Sequence, residues 1–371
     1  MKKYQFLSLA LTMFILGCNQ SGKSQGSATD EATVRIQSDE LSSDDSRSYR
    51  NLTVFLIRGK DQVSRNYLSL EEAMENGSIV LHETGSVGEL MVDNKSDKHV
   101  FIMSGDIVKG GKQDRTIAED IILKPGSKKV PLKSFCVEHS RWSPRGQESV
   151  SQFSSSKKML SNKNLKIAAR EKKEQSAVWS EVAEFQNKTS ENIKADVKSR
   201  QSATSLQLTL ENKDLQATVK EYQEAIVSLF AEKADVLGFA FCVNGKISTV
   251  DVFGSAALFS KLLPKLLESA INEAVFQYDE KLKFEHVTAA EVHSFIASAK
   301  KGTETTRKTG ENTVEKKITT DKSILFYTFD TDAGEQLVHT TIYQVEEKDI
   351  AVKNERSNEP QFRHGGFNRN R

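Results

Sequence analysis

Cysteine is scarce in this chain: three residues in 371, one of which, Cys18, lies in the N-terminal leader. Only Cys136 and Cys242 remain after it. They could pair in an oxidising compartment, but two cysteines exclude a disulfide scaffold. Net charge is missing too. Lys plus Arg (52) against Asp plus Glu (51) leaves +1, so no global field draws the domain to nucleic acid or anionic lipid. The histidines show no His-x-x-x-His pair, and there is no Cys-x-x-Cys, so no metal site and no cofactor is expected. Over residues 49–346 no Gly-x-Ser-x-Gly elbow occurs either, which removes that route to a serine nucleophile in the folded domain. After the leader no apolar stretch is long enough to span a membrane.

The leader itself is informative. Lys2 and Lys3 precede an apolar run from Phe6 to Leu16, which ends in Ile15-Leu16-Gly17-Cys18. This reads as a signal peptide with a bacterial lipobox over residues 1–18, in which Cys18 becomes the acylated N-terminus. Acyl chains such as palmitate contribute roughly 0.8 kcal/mol per buried CH₂, and several on one cysteine would hold a domain at the membrane. Asn19 is not the aspartate that retains lipoproteins at the inner membrane, which favours an outer-membrane address in the cell envelope. Residues 19–48 are rich in Ser, Gly, Asp, Glu and Gln and read as a flexible tether. A folded domain is expected over 49–346, and a disordered tail over 347–371.

Within the domain, Asn51 to Ile57 is the first strand candidate, and Ser69-Leu70-Glu71-Glu72 is a capping box that opens a helix stopped near Gly77. Short strands are expected at 79–81, 89–92, 99–104, 116–123 and 129–132. Residues 143–164 read as a surface loop, 165–203 and 215–234 as helices with apolar stripes, and 303–322 as a polar loop. Asn244-Gly245 between two apolar arms predicts a hairpin over 236–253. Ser255 and Thr288 are helix caps, and 324–329 with 337–345 form a closing hairpin. The order implies an α+β fold: an N-terminal antiparallel β unit, an inserted helical pair and a C-terminal αβ layer.

The chemistry concentrates in two stretches. Gly110-Gly111-Lys112-Gln113-Asp114-Arg115 lacks the ending and context of a P-loop. Paired glycines still let backbone N–H groups approach an anion, and Arg115 offers a bidentate fork. Twenty residues on, Phe135-Cys136-Val137-Glu138-His139-Ser140-Arg141-Trp142 adds a carboxylate, a second guanidinium and an indole. On a flat strand Cys136 and Glu138 share a face that His139 does not, so a Cys/His nucleophile pair is disfavoured and Cys136 reads as a small buried residue. Gly110, Gly111, Gln113, Asp114, Arg115, Glu138, Arg141 and Trp142 are the ligand-binding candidates. An internal salt bridge from Glu138 to Arg115 or Arg141 is the competing account. Asp251, an acid inside an apolar strand, either caps a turn or reaches the pocket.

At these residues the chain resembles the ARPP-type domain family, named for association with ADP-ribosylglycohydrolase and rhodanese-phosphatase-superfamily proteins. The resemblance runs through Tyr67-Leu68-Ser69-Leu70-Glu71-Glu72-Ala73, Gly105-Asp106, Gly110 to Arg115, Phe135 to Glu138, Arg141-Trp142, Val178-Trp179 and Asp251-Val252-Phe253, about residues 50–345. The chain departs from it where Gly105-Asp106-Ile107 replaces Gly-Glu-Glu, and where Asp114 stands in place of Asn. The resemblance implies a connection to NAD or ADP-ribose chemistry. The function expected is a lipid-anchored envelope protein with a pocket for an anionic or nucleotide-like ligand. The alternative is a hydrolase on ADP-ribose-related substrates, with Glu138 or Asp106 as general base.

Overall fold

The longest apolar runs form an eight-stranded antiparallel sheet. Its order is Ser46–Tyr49, Leu52–Arg58, Val236–Val243, Lys246–Phe253, Gln336–Gln344, Ser323–Asp330, Thr313–Thr319, Thr303–Lys308. The computed structural model describes residues 45–139, 141, 152–231 and 233–346. The lipobox, residues 19–44 of the tether, Trp142 and the tail from 347 lie outside them.

Both faces of this sheet are covered, so its central strands read as continuous apolar runs rather than an alternation. Along Leu52–Arg58, Val54 and Leu56 turn to one core with Phe239, Phe241, Phe253 and the helix Ala256–Phe276. Phe55 and Ile57 turn to the opposite core with Ala240, Val250, Val252 and the helix Ala289–Ala299. Asn244 (φ 52°) and Gly245 (φ 71°) close the central hairpin as the Asn-Gly pair requires. The predicted caps are present. Ser69 with Glu72 and Thr288 with Glu291 form capping boxes, and Ser255 accepts from Leu258 N–H.

A six-stranded antiparallel sheet is built from Phe153–Met159, Asp106–Gly110, Arg115–Ile117, Val130–Cys136, Glu89–Asn94 and Ile79–Glu83, in that order. A three-stranded ribbon, Leu68–Ser69, Val100–Ile102 and Ile121–Leu123, completes the N-terminal β unit. The fold is therefore α+β.

Several boundaries differ from expectation. The Asn51–Ile57 candidate belongs to the large sheet, paired to Val236–Val243 across almost the whole domain. The end of the tether is a strand, because Ser46–Tyr49 pairs with Leu52–Arg58 and Asp45 bonds Arg58. Both polar stretches read as loops contain strands: Phe153–Met159 pairs with Asp106–Gly110, and Thr303–Lys308 pairs with Thr313–Thr319. At a sheet edge the backbone ladder carries the pairing, so polar side chains suffice. The stretch 116–123 breaks into Arg115–Ile117 and Ile121–Leu123, which frees Asp120 between them. The 165–203 helix is also interrupted. Lys163–Ile167 runs into a π turn, Ala168–Lys172; Lys173 (φ 56°) ends it, and Gln175–Ile193 starts anew.

Candidate functional site

Gly110 to Arg115 and Cys136 to Arg141 come together because Arg115–Ile117 lies between the strand ending at Gly110 and the strand ending at Cys136. Gly110 (φ 114°) and Gly111 (φ 57°) turn the chain, and a Cβ on Gly111 would lie 2.5 Å from the Phe153 ring. Only glycine fits there. Asp114 ties the turn shut: its Oδ1 accepts Gly110 N–H at 3.0 Å, and its Oδ2 accepts the Ser205 hydroxyl at 3.1 Å.

The two guanidiniums are spent inside the protein. Arg115 donates through Nη1 to Cys136 Sγ (2.9 Å) and Gln113 O (3.2 Å), and through Nη2 to Glu83 (3.4 Å). Arg141 Nε donates to Glu138 Oε2 at 2.7 Å, and its Nη2 lies 3.6 Å from Asp114 Oδ1. Gln113 donates to Glu138 O at 2.8 Å. Asp114, Arg115 and Glu138 are 0% exposed and Gln113 is 3% exposed. The strand ends at Cys136, so the alternation argument stops there and Glu138 can meet Arg141 three residues on. The internal salt bridge, the competing account of these residues, is what the geometry realises. The Cys136 thiol is pushed up to about 11, first by burial and then by neighbouring Glu83 and Glu138 against the pull of Arg115. It is a neutral donor, to Gln113 Oε1 at 3.0 Å, and both Cys136 and Cys242 are free. Asp106 stands apart: it forms a buried ion pair with Lys265, and Met103 N–H donates to it at 3.0 Å.

A second buried network was not legible as a site. Asp120 accepts from Ser104 N–H (2.7 Å), Thr328 Oγ1 (2.6 Å), His339 Nδ1 (2.8 Å) and Arg170 Nη2 (3.1 Å). His339 Nε2 meets Asp251 Oδ1 at 3.2 Å. Asp251 thus reaches neither a turn nor the glycine motif; it flanks an imidazole that stacks on Phe253 at 4.5 Å. Arg170 also bonds Glu315 at 3.0 Å and lies over the Phe326 ring at 4.1 Å. Burial alone would discharge His339, but Asp120 and Asp251 raise it above its ordinary 6.5. Burial likewise pushes both carboxylates up, and their cationic partners bring them below the usual carboxylate range. Burial lowers Lys166, against the pull of Asp251 and Glu273. The one available signal was chemical: Asp251 and His339 are the ionisable residues in otherwise apolar strands.

The sign of the His339 shift gives a pH expectation. A raised folded value means that the contribution is full below the unfolded 6.5 and is lost as pH rises through the folded value. Urea midpoints of the wild type should fall between pH 6 and pH 8, relative to His339→Asn, in which that slope is absent. Parallel curves would remove the imidazolium from the network.

The open space lies elsewhere. A cleft of about 890 Å³ sits beside the Asn244–Gly245 turn, between the end of Ala256–Phe276, the second half of Gln175–Ile193 and the segment 282–288. Ser248 and Glu273 lie at its inner wall, where Ser248 donates to Glu273, and Lys163 N–H donates to the same carboxylate at 2.8 Å. Lys188, Lys246 and Lys283 line it and reach no carboxylate within 4 Å among the described residues. Among those residues no helix is long and apolar enough to cross a membrane, and no group of three or more His, Cys, Asp or Glu could hold a metal ion.

Residues 40–343 match the domain described as ARG and Rhodanese-Phosphatase-superfamily-associated Protein domain, ARPP-1. The chain belongs to the ARPP-1 family. No curated protein and no solved structure matches it. In this ARPP-1 chain the resemblance residues Gly110 to Arg115, Cys136, Glu138 and Arg141 belong to the enclosed network, and Asp251 belongs to the one around His339.

Proposed function

We propose that this ARPP-1 chain is a lipid-anchored envelope protein, acylated on Cys18, whose domain binds an anionic or nucleotide-like ligand in the cleft beside the Asn244–Gly245 turn. One observation carries the reading. Three lysines, Lys246, Lys283 and Lys188 (whose ammonium lies over the Phe276 ring at 4.8 Å), line an opening of about 890 Å³ without carboxylate partners among the described residues, within the ~300–1,000 Å³ typical of small-molecule sites. The glycine–arginine motif supports this cleft at a distance. Gln175 clamps Cys136 through its N–H and C=O, at 2.8 Å each, and the helix that Gln175 begins carries Lys188 into the cleft wall.

Titration calorimetry against nucleotides and sugar phosphates tests the site. Lys246→Glu and Lys283→Glu each remove an attraction and add a repulsion, so affinity should drop by at least tenfold, or about 1.4 kcal/mol. Unchanged affinity in both variants would sink the assignment. Incorporation of labelled palmitate, lost in Cys18→Ala, checks the anchor.

A further inference from the structure

The cleft is not uniformly ionic. It is continuous with a side lobe of about 370 Å³, sharing Lys246, Ile247 and Val287 with it and adding Phe295. Phe284 and Phe295 are half-buried, and Leu282 is 45% exposed. The lysines therefore border apolar and aromatic surface left open to water, which is costly unless a partner covers it. The Phe284 ring does not float. A Cβ on Gly245 would fall 2.3 Å from Glu285 O and 3.1 Å from Phe284 Cβ, so the missing side chain is what seats this segment on the hairpin turn. His286 meets Thr53 Oγ1 at 3.3 Å and packs edge-on to Phe284, with ring centroids 5.5 Å apart. A ring held this way is pre-organised, and little ordering entropy remains to oppose stacking on it.

The carboxylates also narrow the choice. Five glutamates line the cleft: Glu273 accepts from Ser248 and Lys163 N–H, Glu291 caps its own helix, Glu346 lies at the rim, and Glu184 and Glu285 make no ion pair among the described residues. A bare phosphate or sulfate would meet repulsion from these carboxylates as well as attraction from the lysines. A ligand with hydroxyl or amine donors between its anionic end and a flat ring would satisfy them.

We infer that the ligand is an anion carrying an aromatic ring, the ring lodged against Phe284 or in the Ile247–Val287–Phe295 lobe and the anionic group on Lys246 and Lys283. This rests on the binding reading above and specifies its ligand class. Sugar phosphates without a base fill only the ionic half.

Calorimetry with AMP and ribose 5-phosphate decides the matter, because the two differ by the base alone. AMP should bind the wild-type protein at least tenfold more tightly, since stacking of one base is worth roughly one to two powers of ten in affinity. The paired variants Phe284→Ala and Phe295→Ser, confirmed folded by circular dichroism, should between them erase that gap while leaving ribose 5-phosphate affinity unchanged. Equal binding of the two compounds by wild type, or a gap that survives both substitutions, overturns the ring assignment and leaves anion binding intact. If neither compound binds at millimolar concentration, the cleft reading falls together with it.

Discussion

Asp120→Ala should destabilise the domain by about 3–5 kcal/mol, the range for breaking a buried ion pair from one side. Asp120 is 1% exposed, and four donors converge on it: a backbone N–H, a hydroxyl, an imidazole and a guanidinium. Deleting the carboxylate strands Arg170 and His339 as buried cations with one acceptor fewer each. Glu315 and Asp251 still hold them, which keeps the effect within that range. Because Asp120 comes from the small β unit while Thr328 and His339 come from the large sheet, the lost contacts are among those that join the two, beside Ile122 N–H to Thr313 Oγ1 and the Arg307–Glu119 pair. Asp120→Asn keeps the shape but turns an NH₂ toward one of the donors, so it should cost nearly as much as the alanine variant. Urea denaturation at pH 7 measures both. A loss below 1 kcal/mol for either would mean that packing and the remaining cross-links, such as Arg307–Glu119, join the sheets without this carboxylate.

That network also marks the limit of what the residues disclose in one dimension. Local devices were readable: the capping boxes at Ser69 and Thr288, the Asn244–Gly245 turn and the apolar stripe Leu215, Val219, Tyr222, Ile226 all depend on neighbours a few residues away. Pairings that close over long stretches were not. Nothing near Leu52–Arg58 says that its partner is Val236–Val243, and both strands are apolar on both faces, which leaves the choice to tertiary packing. Polar edge strands such as Thr303–Lys308 carry no periodicity to read, because one side is solvent and the ladder is backbone. The candidate site divides in the same way. Proximity in sequence brought Gly110–Arg115 and Glu138–Arg141 into view. Asp120, Arg170, Asp251 and His339 are spread over 220 residues and meet only through the sheet. The cleft was invisible for a further reason: its lysines look like any solvated charge until the backbone surrounds an opening with them.

Arg115→Ala is expected to cost about as much as Asp120→Ala, roughly 3–5 kcal/mol, but for a reason that separates scaffold from site. The guanidinium spans three elements: Glu83 on one strand, Gln113 O in the glycine turn and Cys136 on another strand. Its removal leaves the Glu83 carboxylate, 5% exposed, buried without a cation. Arg115→Lys should recover only part of the loss, because a single ammonium cannot reach along both Nη directions. In a double-mutant cycle with Glu83→Gln, the pair should show a coupling of at least about 1 kcal/mol. Wherever the Arg115 variants remain folded, their affinity for ligand in the cleft should stay within threefold of wild type, while Lys246→Glu shows the reverse pattern of intact stability and lost binding. If instead Arg115→Lys keeps full stability and abolishes binding, the guanidinium contacts ligand and the cleft assignment is wrong. The two read-outs, unfolding midpoint and calorimetric affinity, therefore move independently under the scaffold interpretation and together under a ligand-contact one, and a single pair of variants tells them apart.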